Sequence, residues 1–426
     1  MNSVLCVVLV TIVALITISF FFEFNIGPLA VLVALVIGKV FMGVGPGSLV
    51  GMIPGSTILT LILLSAFYGF ALENGTANVL IQRMLNRFGR KMALFPVGMF
   101  ALTAVLSGIG LGSGNATMIA APIALAIAAE ADIAPLVMAA AVGCGAAVGS
   151  NFPFSFGGLV AATLIEGSGE LDNATPAIMD AALRGALIQG LSFLVVFLQQ
   201  KGYRNSGMEQ KAVPDMTPVQ KKTAALIGVV VAVSVLPPVA DMLLQSPMTS
   251  ALAGYCDINT VMLVGIVVAM LMRLGDERVI IKNHVPWMLI VVISGMSMLI
   301  GLAKENGIVQ LLGSAMSQNL PLFSIQYVLL LIGMVMSLFG GAISIVIPTL
   351  YPMVPGIAAA TGLDIGQLYG CVLVGATCGG LSPYSSGGMI LMSAYPSDRH
   401  RREFMLGLLC MPPLQSVISM LVYAIW

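Results

Sequence analysis

Charge is what this sequence has least of. Only 8% of its 426 residues are charged, against roughly a quarter in a soluble globular chain. That is too little polar sequence to cover a water-soluble helical core of this size. The 18 basic and 18 acidic residues cancel to a formal net charge of zero, which leaves nucleic-acid binding without an electrostatic footing. There are two histidines, His284 and His400, both among charges at expected helix ends. The six cysteines (Cys6, Cys144, Cys256, Cys371, Cys378, Cys410) lie mostly in apolar runs, at spacings that suggest neither a disulfide framework nor a metal site. No nucleophile or metal cluster of an enzyme is apparent, and no cofactor is expected. The alternating ten-residue strands of a membrane barrel are missing too.

What remains is apolar sequence. Hydrophobic residues make up 58% of the chain, with a mean hydropathy of +1.03. Windows of about 20 residues without a charge recur, the length a helix needs to cross a ~30 Å hydrocarbon layer. Apolar segments fall at 4–22, 27–43, 57–73, 94–129, 133–164, 178–199, 223–243, 258–273, 286–303, 325–357, 365–393 and 405–425. The first has no basic leader and no clear small-residue cleavage site, so it reads as a helix and not as a signal peptide. Segments 94–129 and 325–357 are too long for one simple span, and 133–164 and 365–393 carry their own breaks.

Basic residues set the threading. Fifteen of the 18 fall in four clusters, around Arg83–Lys91, Lys201–Lys222, Arg273–Lys282 and Arg399–Arg402. Cytoplasmic connections collect Lys and Arg, and all four clusters share that side when 94–129 and 325–357 enter and leave by one face. The limb Thr117–Ala129 is short for a full span, which favours a re-entrant hairpin. Ten spanning helices and two hairpins result, in an all-α polytopic membrane protein with both termini external. The connection bearing Glu166, Glu170 and Asp172 is then external as well.

The halves on either side of a polar linker at 201–222 resemble each other. Residues 1–200 form the first repeat and 223–426 the second. Gly69 and Glu73-Asn74-Gly75 pair with Gly301 and Glu305-Asn306-Gly307 at an offset of 232. Gly110, Pro122, Gly145, Gly149, Pro153, Ser155, Gly157 and Gly158 pair with Gly340, Pro352, Gly375, Gly379, Pro383, Ser385, Gly387 and Gly388, all at 230. An odd number of crossings per half makes the repeats inverted, the construction of secondary transporters with a site near mid-membrane.

Candidate site residues follow from the interruptions. The first tip, Gly112-Ser113-Gly114-Asn115-Ala116-Thr117, offers hydroxyl and amide oxygens for a hard cation and donors for a carboxylate; the limb that follows presents free N–H groups. The first break, Ser150-Asn151-Phe152-Pro153-Phe154-Ser155, frees carbonyls that a cation or a wet cavity can satisfy. Its partner runs from Thr377 through Ser382-Pro383-Tyr384-Ser385, and the second tip is Gly340-Gly341-Ala342-Ile343-Ser344. Substrate contacts are expected from Ser113, Asn115, Thr117, Asn151, Ser155, Ser344, Thr377 and Ser385, and cation contacts from Gly112, Ser113, Asn115, Ser150, Gly340, Gly341 and Ser382. Small residues also serve helix–helix contact in membranes, and a proline kink alone would explain a break. Arg184 is expected to pair with Asp180 on its own helix, and Glu73 to cap one. No acid sits at the bilayer centre, which suits an anionic substrate better than a proton-exchanging antiporter.

Leu106-Ser107-Gly108-Ile109-Gly110, running on through Ser113-Gly114-Asn115-Ala116-Thr117 to Ala121-Pro122, resembles the first hairpin of the ion transporter superfamily, and within it the MatC-like dicarboxylate/malonate carriers. Pro135–Ala139, Gly143–Pro153 and Asn74-Gly75 continue the likeness over most of residues 25–200, with a fainter echo at 285–393. The superfamily also holds the divalent-anion/sodium symporters. The resemblance implies a homodimer whose protomers each have a scaffold domain and a mobile transport domain with two opposed hairpins. In the sodium-coupled members a contiguous Ser-Asn-Thr at each tip binds carboxylate and Na⁺. Here the first motif is spread out as Ser113-x-Asn115-x-Thr117, and Gly341-Ala342-Ile343-Ser344 stands in place of the second.

The expectation is secondary active transport of a small carboxylate, a C3 or C4 dicarboxylate, coupled to Na⁺ or H⁺ by elevator-type alternating access in the bacterial inner (plasma) membrane. A cation/proton or oxyanion exchanger on the same scaffold, or a membrane subunit of a multi-component permease, remains open. Na⁺ would be a coupling ion, and the expected partners are the carboxylate, the bilayer and a second copy, with no nucleic acid.

Overall fold

A computed structural model describes residues 26–53, 55–80, 83, 95–130, 133–171, 173–203, 215–244, 246–305, 320–338, 341–395 and 400–426. The expected first helix at 4–22 and the Asn306-Gly307 half of the Glu-Asn-Gly match lie outside them. Among the described residues there are helices and no strands. The main ones are α1 (Ile26–Val36), α2 (Gly55–Glu73), α3 (Phe95–Leu106), α4 (Gly112–Glu130), α5 (Pro135–Ser150), α6 (Phe156–Glu166), α7 (Thr175–Gln199) and α8 (Pro218–Leu244). There follow α9 (Ile258–Leu271), α10 (Trp287–Glu305), α11 (Leu322–Ser337), α12 (Val354–Thr361), α13 (Ile365–Cys378), α14 (Ser386–Ala394) and α15 (Arg401–Ile425).

By length and apolarity, four stretches suffice to cross a membrane: Phe95–Ala129, Thr175–Gln199, Ile365–Ala394 and Arg401–Ile425. Only the second and fourth are single helices. Phe95–Ala129 contains a π-helical turn at Ser107–Leu111 in which Gly110 has φ 110°, followed by Gly112 at φ 77°. Both values lie in the region that L side chains avoid and glycine does not, so α3 and α4 are separate limbs. Ile365–Ala394 is interrupted between Gly379 and Ser385.

Boundaries elsewhere shift for local reasons. The polar linker is shorter than 201–222, because α8 starts at Pro218, where proline is tolerated in a first turn. Short helices at Pro46–Gly51, Pro247–Tyr255 and Glu277–Asn283 fill connections; Ser246 caps the second with a reciprocal Ser246–Thr249 pair. Glu73 does not cap a helix. Its carboxylate lies 3.3 Å from His284 Nε2, while the neighbouring Asn74 Nδ2 donates to Thr223 Oγ1 (2.8 Å) and the Leu274 carbonyl (2.9 Å). These bonds tie the ends of α2, α8 and α9 together. Arg184 does pair with Asp180, at 2.9 Å, and it also stacks over Tyr423 with 4.8 Å to the ring centroid.

Packing is organised around two helices rich in small residues. Cys144 and most of the alanines of α5 are fully buried between α3, α4 and α7. Likewise α13, with Leu368 to Ala376 and Cys378 buried, lies among α7, α11 and the segment 346–357. Separate clusters join α1 to α10, and α2 to α8 and α9. The close approach of α1 to α10 depends on glycine: a Cβ on Gly27 would stand 2.5 Å from the Val291 backbone.

Candidate functional site

The first interruption forms a hairpin. Thr103 Oγ1 on α3 lies 3.4 Å from the Ala141 carbonyl of α5. Further along, a Cβ on Gly145 would collide with the Phe100 carbonyl, and one on Gly149 with the Ala104 carbonyl. Later residues of α3 therefore meet later residues of α5, and the two run parallel. Four residues join α4 to α5, and the start of α4 borders the same cavity as the end of α5, so that pair is antiparallel. It follows that α3 and α4 run against each other, with the tip at 107–112. Gly110 is held under the Tyr68 ring of α2, and Gly112 would put a Cβ 3.4 Å from Phe156. Asn115 Nδ2 turns back to the Leu111 carbonyl at 3.0 Å and closes the tip.

In the second half α11 lies along α13 in the same way. Ser337 Oγ donates to the Ala376 carbonyl, and Gln326 Nε2 donates to Gln367 Oε1 at 3.1 Å. A Cβ on Gly375 would collide with the Leu330 carbonyl, and one on Gly379 would lie 2.7 Å from the Met334 carbonyl. These are the contacts of Gly145 with Phe100 and of Gly149 with Ala104, displaced by 230 residues. The returning segment passes through a π-helical turn at Ala342–Val346, then Pro348 and Pro352, before α12. Tyr351 meets Tyr369 of α13 edge-on at 4.9 Å.

Both breaks are closed by a serine. Ser155 Oγ donates to the carbonyls of Ser150 (2.5 Å) and Phe152 (2.6 Å) and accepts from Gly158 N at 3.4 Å. Ser385 Oγ donates to the carbonyls of Gly380 (2.7 Å) and Ser382 (2.8 Å) and accepts from Gly388 N at 3.2 Å. Each serine caps the following helix. The carbonyls freed by the breaks thus find a protein donor, but a single hydroxyl hydrogen is shared between two of them. Lone pairs are left over in both places.

Both tips and both breaks meet at one cavity of about 100 Å³. Ser113, Gly114 and Thr117 enter it from α4, Ser150 and Asn151 from the end of α5, and Thr377 and Gly380 from the end of α13. Gly341, Ala342 and Ile343 close it from the second tip. Among the described residues, no charged side chain lines it. A second cavity of about 280 Å³ lies next to it, bounded by Tyr68, Leu72, Gly112, Asn115, Phe156 and His284. The two share Ser113, Gly114, Gly341, Ala342, Ile343 and Ser386, so the wall between them is made of tip residues and the start of α14.

Of the residues singled out in sequence, Ser113, Thr117, Ser150, Asn151, Gly341 and Thr377 come together at the first cavity. Gly112 and Asn115 border the second. Ser155 and Ser385 are fully buried in their caps, and Ser382 is fully buried with its Oγ accepting from Tyr384 N at 3.3 Å. Gly340 and the Ser344 side chain lie outside the described residues. Sequence reasoning passed over Gln189 and Ser386, which line the first cavity. Ser386 follows a flagged serine directly; Gln189 had the weaker signal of an uncharged amide inside an otherwise apolar span.

Residues 1–150 match the family model described as the N-terminus of the dicarboxylate carrier protein MatC. That stretch holds the first hairpin and α5, so this part of the chain is MatC-like, and a chain of that kind is a transporter and not an enzyme. No curated protein matches the chain. Among solved structures, that of Neisseria gonorrhoeae MtrF, reported as illuminating a class of antimetabolite efflux pumps, is similar over 100% of this chain and 95% of that one. The TM-score is 0.55 at 12% sequence identity, a likeness of fold alone.

Proposed function

We propose that this MatC-like membrane carrier moves a small carboxylate, a C3 or C4 dicarboxylate, through the cavity between its two tips and two breaks. One observation carries the reading: that cavity is lined by hydroxyls, amides and helix ends and, among the described residues, by no charged side chain. An anion there is met by the free N–H groups at the start of α4 and by the hydroxyls of Ser113, Thr117 and Thr377. Without an opposing acid, a proton-exchanging antiporter has no group to titrate.

Coupling to a cation fits the same geometry. The carbonyls of Ser150 and Gly380, each sharing its serine with a second carbonyl, offer lone pairs beside the cavity. Na⁺ bound at them would offset the charge of the substrate. The recurrence of the same contacts at an offset of 230 supports two repeats, each with five crossings and a hairpin, inverted in the membrane. On this reading α3–α7 and α11–α15 form the transport domain around the site, and α1, α2 and α8–α10 form the scaffold. The scaffold meets the first tip where Tyr68 covers Gly110.

Alternating access follows from the second cavity. It opens beside the Glu73–His284 pair, near the basic connections that lie in the cytoplasm of a bacterial inner membrane. Only the tip residues and the start of α14 separate it from the first cavity, which describes a site approached from inside. Movement of the transport domain past the scaffold would present the site to the other face.

Purified protein in liposomes should accumulate labelled malonate or succinate under an inward Na⁺ gradient or proton gradient. Absence of uptake under both would overturn the reading. Sodium–proton flux without carboxylate would instead favour the exchanger.

A further inference from the structure

Two buried glutamines meet at the back wall of the first cavity. Gln189 lies at the middle of α7 and Gln415 at the middle of α15, and Gln415 Nε2 donates to Gln189 Oε1 at 2.7 Å. Both helices are 25 residues long and their limits, Thr175–Gln199 and Arg401–Ile425, differ by 226, as the two glutamines do. The pair therefore joins equivalent positions of the two halves, at the place where a two-fold relation between them would have its axis.

The surroundings of this pair are dry and the hydrogen bonding is incomplete. Gln189 is 1% exposed and Gln415 0%. Gln415 Nε2 also contacts Cys144 Sγ at 3.5 Å, and the Gln189 oxygen is turned towards it. The Gln189 Nε2 is left without a partner among the described residues, in a side chain that lines the cavity. One helical turn earlier on the same face, Gly185 stands against Asn151, and a Cβ there would be 3.3 Å from Asn151 Nδ2. Asn151 is 2% exposed, and its Nδ2 has no hydrogen-bond partner either. A buried amide donor without an acceptor costs about as much as a lost hydrogen bond. Asn151 Nδ2 is such a donor, and Gln189 lines the cavity beside it, so this wall suits a ligand that brings acceptors.

We infer that Gln189, oriented by Gln415, is a substrate-recognition residue whose Nε2 amide donates to an ionised carboxylate in the cavity. This rests on the carboxylate reading above and adds to it a residue that donates a hydrogen bond to the carboxylate. The wall rejects a group that carries its own donors, since two N–H groups would then face each other. Gln415 is the positioning residue. It does not touch the cavity, and it holds the amide in the orientation that presents nitrogen.

The test uses full-length purified protein and measures malonate and succinate binding by titration calorimetry, with and without Na⁺. Gln189→Glu keeps the shape and the oxygen facing Gln415 but replaces the cavity-facing donor by an acceptor. It should weaken dicarboxylate binding by ten- to hundredfold or more, the range of one hydrogen bond to a charged acceptor, and the buried carboxylate should lower the melting temperature without ligand. Gln189→Leu, which removes the donor without adding charge, should show the ten- to hundredfold loss, and Gln415→Leu a smaller one. Wild-type affinity in both Gln189 variants would overturn the inference and leave the carboxylate reading intact if Asn151→Ala still loses binding. Tighter Na⁺ binding in Gln189→Glu with dicarboxylate affinity unchanged would assign the amide to a cation and overturn it as well. No dicarboxylate binding by the wild-type protein would overturn both.

Discussion

Single residues hold this site by conformation more than by charge. Gly110 combines φ 110° with a position beneath the Tyr68 ring. Gly110→Ala should therefore lower stability by about 1–3 kcal/mol, the cost of a residue held in a sparsely populated backbone region. The steric part should be relieved by Tyr68→Ala and the backbone part should not, a difference readable from thermal melts of the single and double variants. Ser155 and Ser385 make the same three hydrogen bonds in the two halves. Replacing either by alanine removes a cap worth about 1 kcal/mol and takes the hydroxyl donor from one carbonyl, Ser150 or Gly380, while Phe152 and Ser382 keep the backbone N–H of the replaced residue. Each variant should melt at a lower temperature than wild type, by similar amounts, and added Na⁺ should recover part of the loss if a cation sits at the spare lone pairs. A gain of stability in either variant would show that the serine is not what closes the break.

At the scale of elements, the parallel pairs α3–α5 and α11–α13 set the tips beside the breaks. Their close approach rests on Gly145 and Gly375, where a Cβ would strike the carbonyls of Phe100 and Leu330. Gly145→Val and Gly375→Val should both abolish monodisperse folded protein on size-exclusion chromatography. Gly190→Ala, with open space around the added carbon, should be neutral or slightly stabilising. The positions of these glycines were legible in sequence as a constant offset, because a backbone collision admits no other residue. Over-long apolar runs likewise marked two interrupted segments, and the limbs of the first are antiparallel here. Less was legible where a role depends on three-dimensional neighbours. Glu73 faces His284 across 211 positions of sequence, so its partner is invisible to local reasoning. Gln189 gave no periodic or positional signal, since one amide in a 25-residue apolar helix reads as tolerated polarity. The start of α8 at Pro218 was hidden by the polar run Gln220-Lys221-Lys222, which is helical and solvated.

For the whole molecule, the proposed mechanism makes the two adjoining cavities a route. The larger one reaches the wall of the smaller from the side of Leu72 and His284. A single cysteine placed at Asn115 in a cysteine-free background should therefore react with an impermeant maleimide in inside-out vesicles. In right-side-out vesicles it should react slowly, through the fraction of molecules that have crossed over. Saturating succinate should slow the reaction by ligand occupancy behind the tip. Equal labelling from both faces would contradict a site with one open side.

The central claim is that a carboxylate occupies the place where tips and breaks converge. Its most direct test is uptake of labelled succinate by proteoliposomes containing wild-type protein or the Asn151→Ala variant, under Na⁺ and proton gradients in turn. The account predicts gradient-driven uptake by the wild type and its loss, by tenfold or more, in a variant that still folds. No uptake by the wild type under either gradient, or equal uptake by the two proteins, would contradict it.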